Sequence, residues 1–127
     1  MLLMLIAAGG ALGAMARYAV GGWVQGPLGA AFPWGTLIVN VSGSLLLAFL
    51  VRTLEGMAAP PEYRGFLAIG FCGAFTTFST FGYESMELIQ AGQWNRATAY
   101  VFGSVLLSLA ATLAGFRLAS AVLGTRV

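Results

Sequence analysis

The sequence predicts an all-α integral membrane protein with four transmembrane helices, and its composition and charge distribution carry that prediction. Hydrophobic residues make up 59% of the 127 positions and charged residues only 8%, whereas a soluble domain has about 25% charged residues. Charge-free stretches cover residues 1–16, 18–51, 65–83 and 97–116. Each of them approaches or exceeds the roughly 20 apolar residues that cross a bilayer.

The first two spans are predicted at residues 2–21 and 34–52. Small residues follow the apolar core of the first span, as in a secretory signal, but no basic residue precedes that core, so we expect the segment to be retained. Glycines and prolines predict a loop between the two spans. These loop-forming residues are Gly21, Gly22, Gly26, Pro27, Gly29 and Pro33.

The third and fourth spans are predicted at residues 65–88 and 94–123. Residues 53–64 hold Pro60, Pro61 and several charges, which indicates an aqueous turn before the third span. A shorter turn is predicted at residues 90–95. Aromatic residues at span ends favour the headgroup region, so we expect one membrane domain covering residues 1–127. The aromatic residues at these predicted ends are Trp23, Trp34, Tyr63 and Trp94.

The arginines give only a weak preference for one orientation. An even number of spans places both termini on one side, together with Arg52, Arg64, Arg117 and Arg126, while two arginines lie opposite. Orientation follows the excess of Lys and Arg in cytoplasmic loops. Charge alone therefore favours termini inside, but this small asymmetry also permits insertion in both orientations.

Several function classes are not expected from this composition. Histidine, lysine and aspartate are absent, so the usual general bases and metal ligands of an enzyme are missing. Six scattered arginines form no basic patch that would bind nucleic acid. Cys72 is the single cysteine, and we expect it to be a small buried core residue.

Polar side chains recur at helical spacing in the second and fourth spans. Thr36, Asn40 and Ser44 share one stripe of the second span, and Tyr100 begins a similar row in the fourth. Such residues often hold helices together, aided by small residues such as Gly43 and Gly103. Because an amide in hydrocarbon needs up to four partners, we favour a polar track. The row in the fourth span comprises Tyr100, Ser104, Ser108 and Thr112.

The third span combines phenylalanines with glycines and threonines. If it is helical, Phe71, Phe75, Phe78 and Phe81 form one face, which is usually a packing or lipid-facing surface. Glycine-flanked threonines in mid-membrane favour a helix break, which is tolerated only inside protein or beside a cavity. Freed carbonyls and amides then become ligands, and the positive edges of aromatic rings attract an anion. The opposite face comprises Gly73, Thr76, Thr77 and Thr80.

At these residues the chain resembles the Fluc (CrcB-type) fluoride channels of microbes. The resemblance covers essentially the whole chain and rests on three motifs in order: GAMARY at residues 13–18, WGTLIVN at 34–40 and GAFTTFSTF at 73–81. It implies a passive, fluoride-selective channel in the inner (plasma) membrane that lowers cytoplasmic fluoride. The resemblance also implies an antiparallel, dual-topology homodimer with a broken third helix and two pathways, each lined by both subunits.

The resemblance implies a role for individual pore residues. Asn40 would be the pore-lining amide, and Phe78 and Phe81 would contact fluoride through their ring edges. Thr36 and Glu84 would lie near the pore, Glu84 as the acid that follows the break. The polar track of the fourth span would comprise Tyr100, Ser104 and Ser108.

Two further roles are implied outside the pore lining. Backbone carbonyls of Gly73 and Thr76 would hold a structural sodium ion at the dimer interface. Arg17 would supply positive potential at an aqueous vestibule.

Two alternatives remain at the level of sequence. A small proton-coupled multidrug exporter has a similar size and span number, but it needs a carboxylate inside its first span, and Glu84 is the only deep acid here. A purely structural assembly subunit would explain the small-residue faces. It would leave the combination of Asn, Phe and Thr residues unexplained.

Overall fold

A computed structural model describes residues 1–124, and these residues form only helices and short connections. Four helical segments within residues 1–124 are long and apolar enough to cross a membrane, which confirms the predicted fold class. Residues 61–75 form the first half of the third span, α3, and its second half is α4. The helices are α1 (Leu2–Leu28), α2 (Trp34–Gly56), α3 (61–75), α4 (Phe78–Gln90) and α5 (Trp94–Leu123).

The first helix is longer than the sequence predicts. It continues through Gly26 and Pro27 to Leu28, so the loop expected from residue 21 onwards begins only at Gly29. A glycine destabilises a helix by about 1 kcal/mol. This is less than the free-energy cost of leaving backbone N–H and carbonyl groups without partners in a bilayer. Gly29 ends the helix with a φ of 72°, a conformation that glycine adopts readily.

The turns between the other spans are also shorter than predicted. Helix α2 extends to Gly56 and α3 begins at Pro61, where a proline is well tolerated because the first turn needs no N–H partner. The predicted turn at residues 53–64 therefore shrinks to 57–60. Helix α5 begins and ends where the sequence predicts. Arg126, assigned to the side of the termini, lies outside the described residues.

Helix α3 is mostly wound as a π-helix. An α-helical turn at Pro61–Tyr63 leads into π-helix over Arg64–Cys72, followed by one α-helical turn at Gly73–Phe75. This winding was not predicted from the sequence. Wide turns of this kind are rare and often lie beside functional sites, and this one ends one α-helical turn before the break in the third span.

Glycines let the helices approach closely. A Cβ added to Gly9 would lie 2.1 Å from the Phe66 carbonyl oxygen, so α1 and α3 are in backbone contact. Gly115 likewise allows close contact between α5 and α2, because a Cβ added there would lie 2.4 Å from the Leu45 carbonyl oxygen. Close backbone approach at small residues is typical of helix packing in membranes. These contacts hold α3 against α1 and α5 against α2.

Candidate functional site

The third span is interrupted at Thr76 and Thr77, which have extended backbones. In a continuous α-helix the Thr77 N–H would donate to the Gly73 carbonyl. It donates instead to Asn40 Oδ1 at 2.7 Å, and Asn40 Nδ2 donates to the Thr77 carbonyl at 2.9 Å. The Asn40 amide thus satisfies the opened backbone, as the bilayer requires, and keeps one N–H for another partner.

Thr77 also caps the helix that follows the break. Its hydroxyl oxygen accepts a hydrogen bond from the Thr80 N–H at 3.2 Å and donates to the Thr80 hydroxyl at 3.0 Å. Threonine is a favoured residue at this position, because its oxygen satisfies an amide that the first helical turn leaves free. The side chain is only 8% exposed, so α4 begins inside the protein.

An open cavity of about 280 Å³ lies beside the break. It brings together residues from both polar rows and from the second half of the third span. That these residues take part in ion passage stays a prediction. The lining residues are Asn40, Ser44, Leu47, Thr76, Thr77, Phe78, Phe81, Ser104, Val105 and Ser108.

The hydroxyls along this cavity are not equivalent. Ser44 donates to the Asn40 backbone carbonyl at 2.7 Å, so its proton is already used within α2. Ser104 is 6% exposed, and its Oγ has no hydrogen-bond partner within residues 1–124. A buried hydroxyl without a partner is costly. The Ser104 hydroxyl therefore keeps a proton that no group within residues 1–124 accepts.

The break divides the phenylalanines of the third span into two groups. Phe75 is buried at 7% exposure and stacks on Phe71 with a centroid distance of 5.8 Å. Phe78 is 83% exposed and touches Phe81, 5.5 Å away between centroids. The single aromatic face expected for a continuous helix does not form, because the extended residues reorient α4. Only Phe78 and Phe81 reach the cavity.

Glu84 joins the ends of the two polar rows. Its Oε1 accepts from the Thr36 hydroxyl at 2.9 Å, and its Oε2 accepts from the Tyr100 hydroxyl at 2.6 Å. Tyr100 is fully buried. Thr36 and Tyr100 therefore contact Glu84 rather than line the cavity at Asn40. A second cavity of about 370 Å³ borders Glu84, Glu87 and the loop after α1.

Arg17 lies on the other side of the break. Its Nη1 donates to the Thr76 carbonyl at 3.4 Å, a long hydrogen bond that leaves most of the guanidinium donors available. A third cavity of about 280 Å³ is lined by Arg17 together with Thr36, Thr77 and Thr80. Thr77 thus lines this cavity and the one at Asn40, while Arg17 adds a positive charge to this one only.

Sequence reasoning missed two contributors to this region. Thr77 was placed on a helical face, whereas its backbone and hydroxyl organise the break. Gln25 was not singled out, yet its side chain bonds three backbone groups around the loop after α1. An amide within the charge-free stretch 18–51 was the available signal, since such a group needs partners in the membrane.

Comparison with known proteins agrees with this architecture. The family described as "CrcB-like protein, Camphor Resistance (CrcB)" matches residues 4–116. A Thermus thermophilus protein named "Fluoride-specific ion channel FluC" is 50% identical over 122 residues, covering 95% of both chains. A Rhizobium meliloti protein of the same name is 46% identical over 121 residues, covering 94% of this chain and 97% of its own. The chain belongs to the CrcB family.

Proposed function

We propose that this protein is a fluoride-selective ion channel through which fluoride leaves the cell passively, so that cytoplasmic fluoride falls. The observation that most directly supports this proposal is the cavity at the helix break, which is lined by Asn40, Ser104 and Phe78. The relatives named as fluoride-specific channels align over nearly the whole chain.

The chemistry of the cavity suits a small, strongly hydrated anion. Fluoride that gives up water needs replacement donors, and the Ser104 hydroxyl and the second N–H of Asn40 are free to supply them. The edges of Phe78 and Phe81 add weak positive potential. Among the described residues 1–124, those that line this cavity are all uncharged. Partners of this strength allow an ion to bind and also to leave.

An antiparallel homodimer would complete the pathway. The cavity is open towards the outside of the chain, where Phe78 and Val105 are exposed. Polar groups such as those of Asn40 and Ser104 are disfavoured against lipid, so a second copy is the natural cover. Weak arginine asymmetry permits the opposite orientation of that copy in the inner membrane. Two pathways would result, each lined by both subunits.

A sodium ion would fit between the two copies at the break. The Gly73 carbonyl loses its helical partner when the Thr77 N–H bonds to Asn40, and unwound carbonyls are common sodium ligands in membrane proteins. The Thr76 carbonyl accepts from Arg17 and has a second lone pair. Gly73 and Thr76 from both subunits would hold the ion, which would supply fixed positive charge that steadies the interface.

Ion efflux from liposomes tests the proposal. Purified protein should release fluoride but not chloride, down its gradient and without an imposed proton gradient. Chloride release at the same rate, or uphill fluoride movement driven by protons at zero membrane potential, would contradict a passive fluoride-selective channel.

A further inference from the structure

We propose that Gln25 is a positioning residue of this pathway, acting through Phe32 on Tyr100 and Glu84. The inference rests on the proposed function and deepens it. Gln25 lies in the last turns of α1, away from the cavity at Asn40. Its influence would travel through the loop 29–33, which connects α1 to α2.

The side chain of Gln25 tethers this loop at both ends. Its Nε2 donates to the carbonyls of Gly29 and Phe32, the latter at 2.9 Å. Its Oε1 accepts from the Gly35 N–H at 2.9 Å, an amide in the first turn of α2, where such groups lack helical partners. Pro33, the residue at the N-cap, makes no side-chain cap there. Gln25, a residue of α1, therefore caps the N-terminus of α2.

The tethered loop places the Phe32 ring against Tyr100. The two rings meet edge to face at an angle of 84°, with centroids 5.6 Å apart. On its other side Tyr100 contacts Phe81, with centroids 5.3 Å apart. Tyr100 is therefore held between a loop residue and a residue of the candidate pore, and this leaves its hydroxyl 2.6 Å from Glu84.

The same loop forms a wall of the cavity that borders Glu84. Gln25, Ala31 and Pro33 line it on one side, and Glu84 and Glu87 line it on the other. If the tether is lost, Phe32 is released, Tyr100 gains room to tilt, and its bond to Glu84 lengthens. Ion passage between the cavity at Asn40 and the cavity under the loop should then slow.

Fluoride efflux from liposomes provides the first measurement. Gln25→Ala should assemble normally and lower the efflux rate about fivefold, the factor that corresponds to about 1 kcal/mol. Gln25→Glu, which keeps the acceptor for Gly35 but turns a carboxylate towards two carbonyls, should also slow efflux and serves if the alanine variant folds poorly. Gln90→Ala is the matched control, because Gln90 is an exposed glutamine in the last turn of α4 that lines none of the three cavities described above.

A double variant tests the route through Phe32. Phe32→Leu keeps the tether but removes the ring from Tyr100, so it should slow efflux as Gln25→Ala does. Combining both changes should slow efflux no further, since coupled residues are not additive. Independent, multiplicative effects, or an unchanged rate in Gln25→Ala, would overturn the inference.

Tryptophan fluorescence reports on the position of the loop 29–33 independently of ion passage. Trp34 packs on Phe32 with a centroid distance of 4.5 Å, so a protein retaining only this tryptophan reports the loop. Its emission should shift in Gln25→Ala and not in Gln90→Ala, and an unshifted emission in Gln25→Ala would overturn the inference. Wild-type protein that releases no fluoride would instead overturn the proposed function, whatever the emission of the variants.

Discussion

At the scale of single residues, Asn40 carries two tasks that stood as alternatives at the level of sequence. Its amide pairs with both backbone groups of Thr77 and also lines the cavity. That fluoride passes beside this amide stays a prediction. The alternative of a residue that holds helices together is partly right, because Asn40 joins α2 to the break.

Replacing Asn40 by alanine should nearly abolish fluoride passage while the protein still assembles. The change removes the free N–H from the middle of the cavity and leaves the Thr77 N–H and carbonyl without partners. An unsatisfied buried group costs about 1–3 kcal/mol, so thermal stability should fall as well. Efflux from liposomes measures fluoride passage, size-exclusion chromatography measures assembly, and the melting temperature in detergent measures stability.

Ser44→Ala is the control for this change. Ser44 lines the same cavity one helical turn away, but its proton already bonds the Asn40 carbonyl. Fluoride efflux should stay close to that of the wild type. Efflux at the wild-type rate in Asn40→Ala would return Asn40 to a purely structural role.

The phenylalanines of the third span give a sharper contrast. Phe78→Leu and Phe81→Leu should impair efflux without loss of assembly, because leucine has no positive edge to offer an anion. Phe75→Leu should lower stability by about 1 kcal/mol and leave efflux nearly intact, since Phe75 packs in the core. Equal, small effects on efflux at all three positions would leave these rings as packing residues only.

At the scale of elements, the break is held by α2 as well as by its own residues. Thr76 and Thr77 are extended because Asn40 of α2 takes over the Thr77 backbone bonds and Thr77 caps α4. A Cβ on Gly43 would lie 2.3 Å from the Thr76 side chain, so α2 also fits closely beneath the break. Gly103, in contrast, has open space around an added Cβ and is not needed for packing within residues 1–124.

The contact between α1 and α3 predicts the effect of a single added methyl group. In Gly13→Ala the new Cβ would lie 2.2 Å from the Phe71 carbonyl oxygen, so one backbone must move. We expect destabilisation of about 1–3 kcal/mol, seen as a lower melting temperature in detergent. Gly22→Ala on the same helix meets nothing within 4 Å and should be neutral or slightly stabilising. Equal melting temperatures for the two variants would contradict the close α1–α3 contact.

At the scale of the whole molecule, we propose that one chain forms only part of the site. The cavity at Asn40 is open on the side where Phe78 is exposed, and polar lining residues require a cover in the membrane. A second copy in the opposite orientation is our proposal for that cover. It follows from the open cavity and from the small arginine asymmetry together.

Such a dimer predicts that the protein inserts in both orientations. A tag on the N-terminus should be accessible from both faces of the membrane in one population of active protein. Adding arginines to the turn 57–60 should bias the orientation, since orientation follows loop charge, and should lower activity by depleting one partner. A terminus found only in the cytoplasm in active protein would contradict the antiparallel arrangement.

The number of spans, the start of α5 and the presence of a break were predictable because each depends on local composition. Apolar length predicts a span wherever it occurs, and glycine with threonine weakens a helix locally. The end of α1 was predicted wrongly, since Gly26 and Pro27 predict a loop from local preference alone. Inside a bilayer the need to pair backbone groups outweighs that preference.

The membrane class, the four spans and the two polar rows follow from the order of residues alone, because hydrophobic length and helical spacing are properties of consecutive residues. It takes the tertiary contacts to pair Asn40 with the break, Glu84 with Thr36 and Tyr100, and Gln25 with the loop. Each of these contacts links residues on different elements. Their partners are chosen by how the helices pack, which no periodicity within one segment can specify.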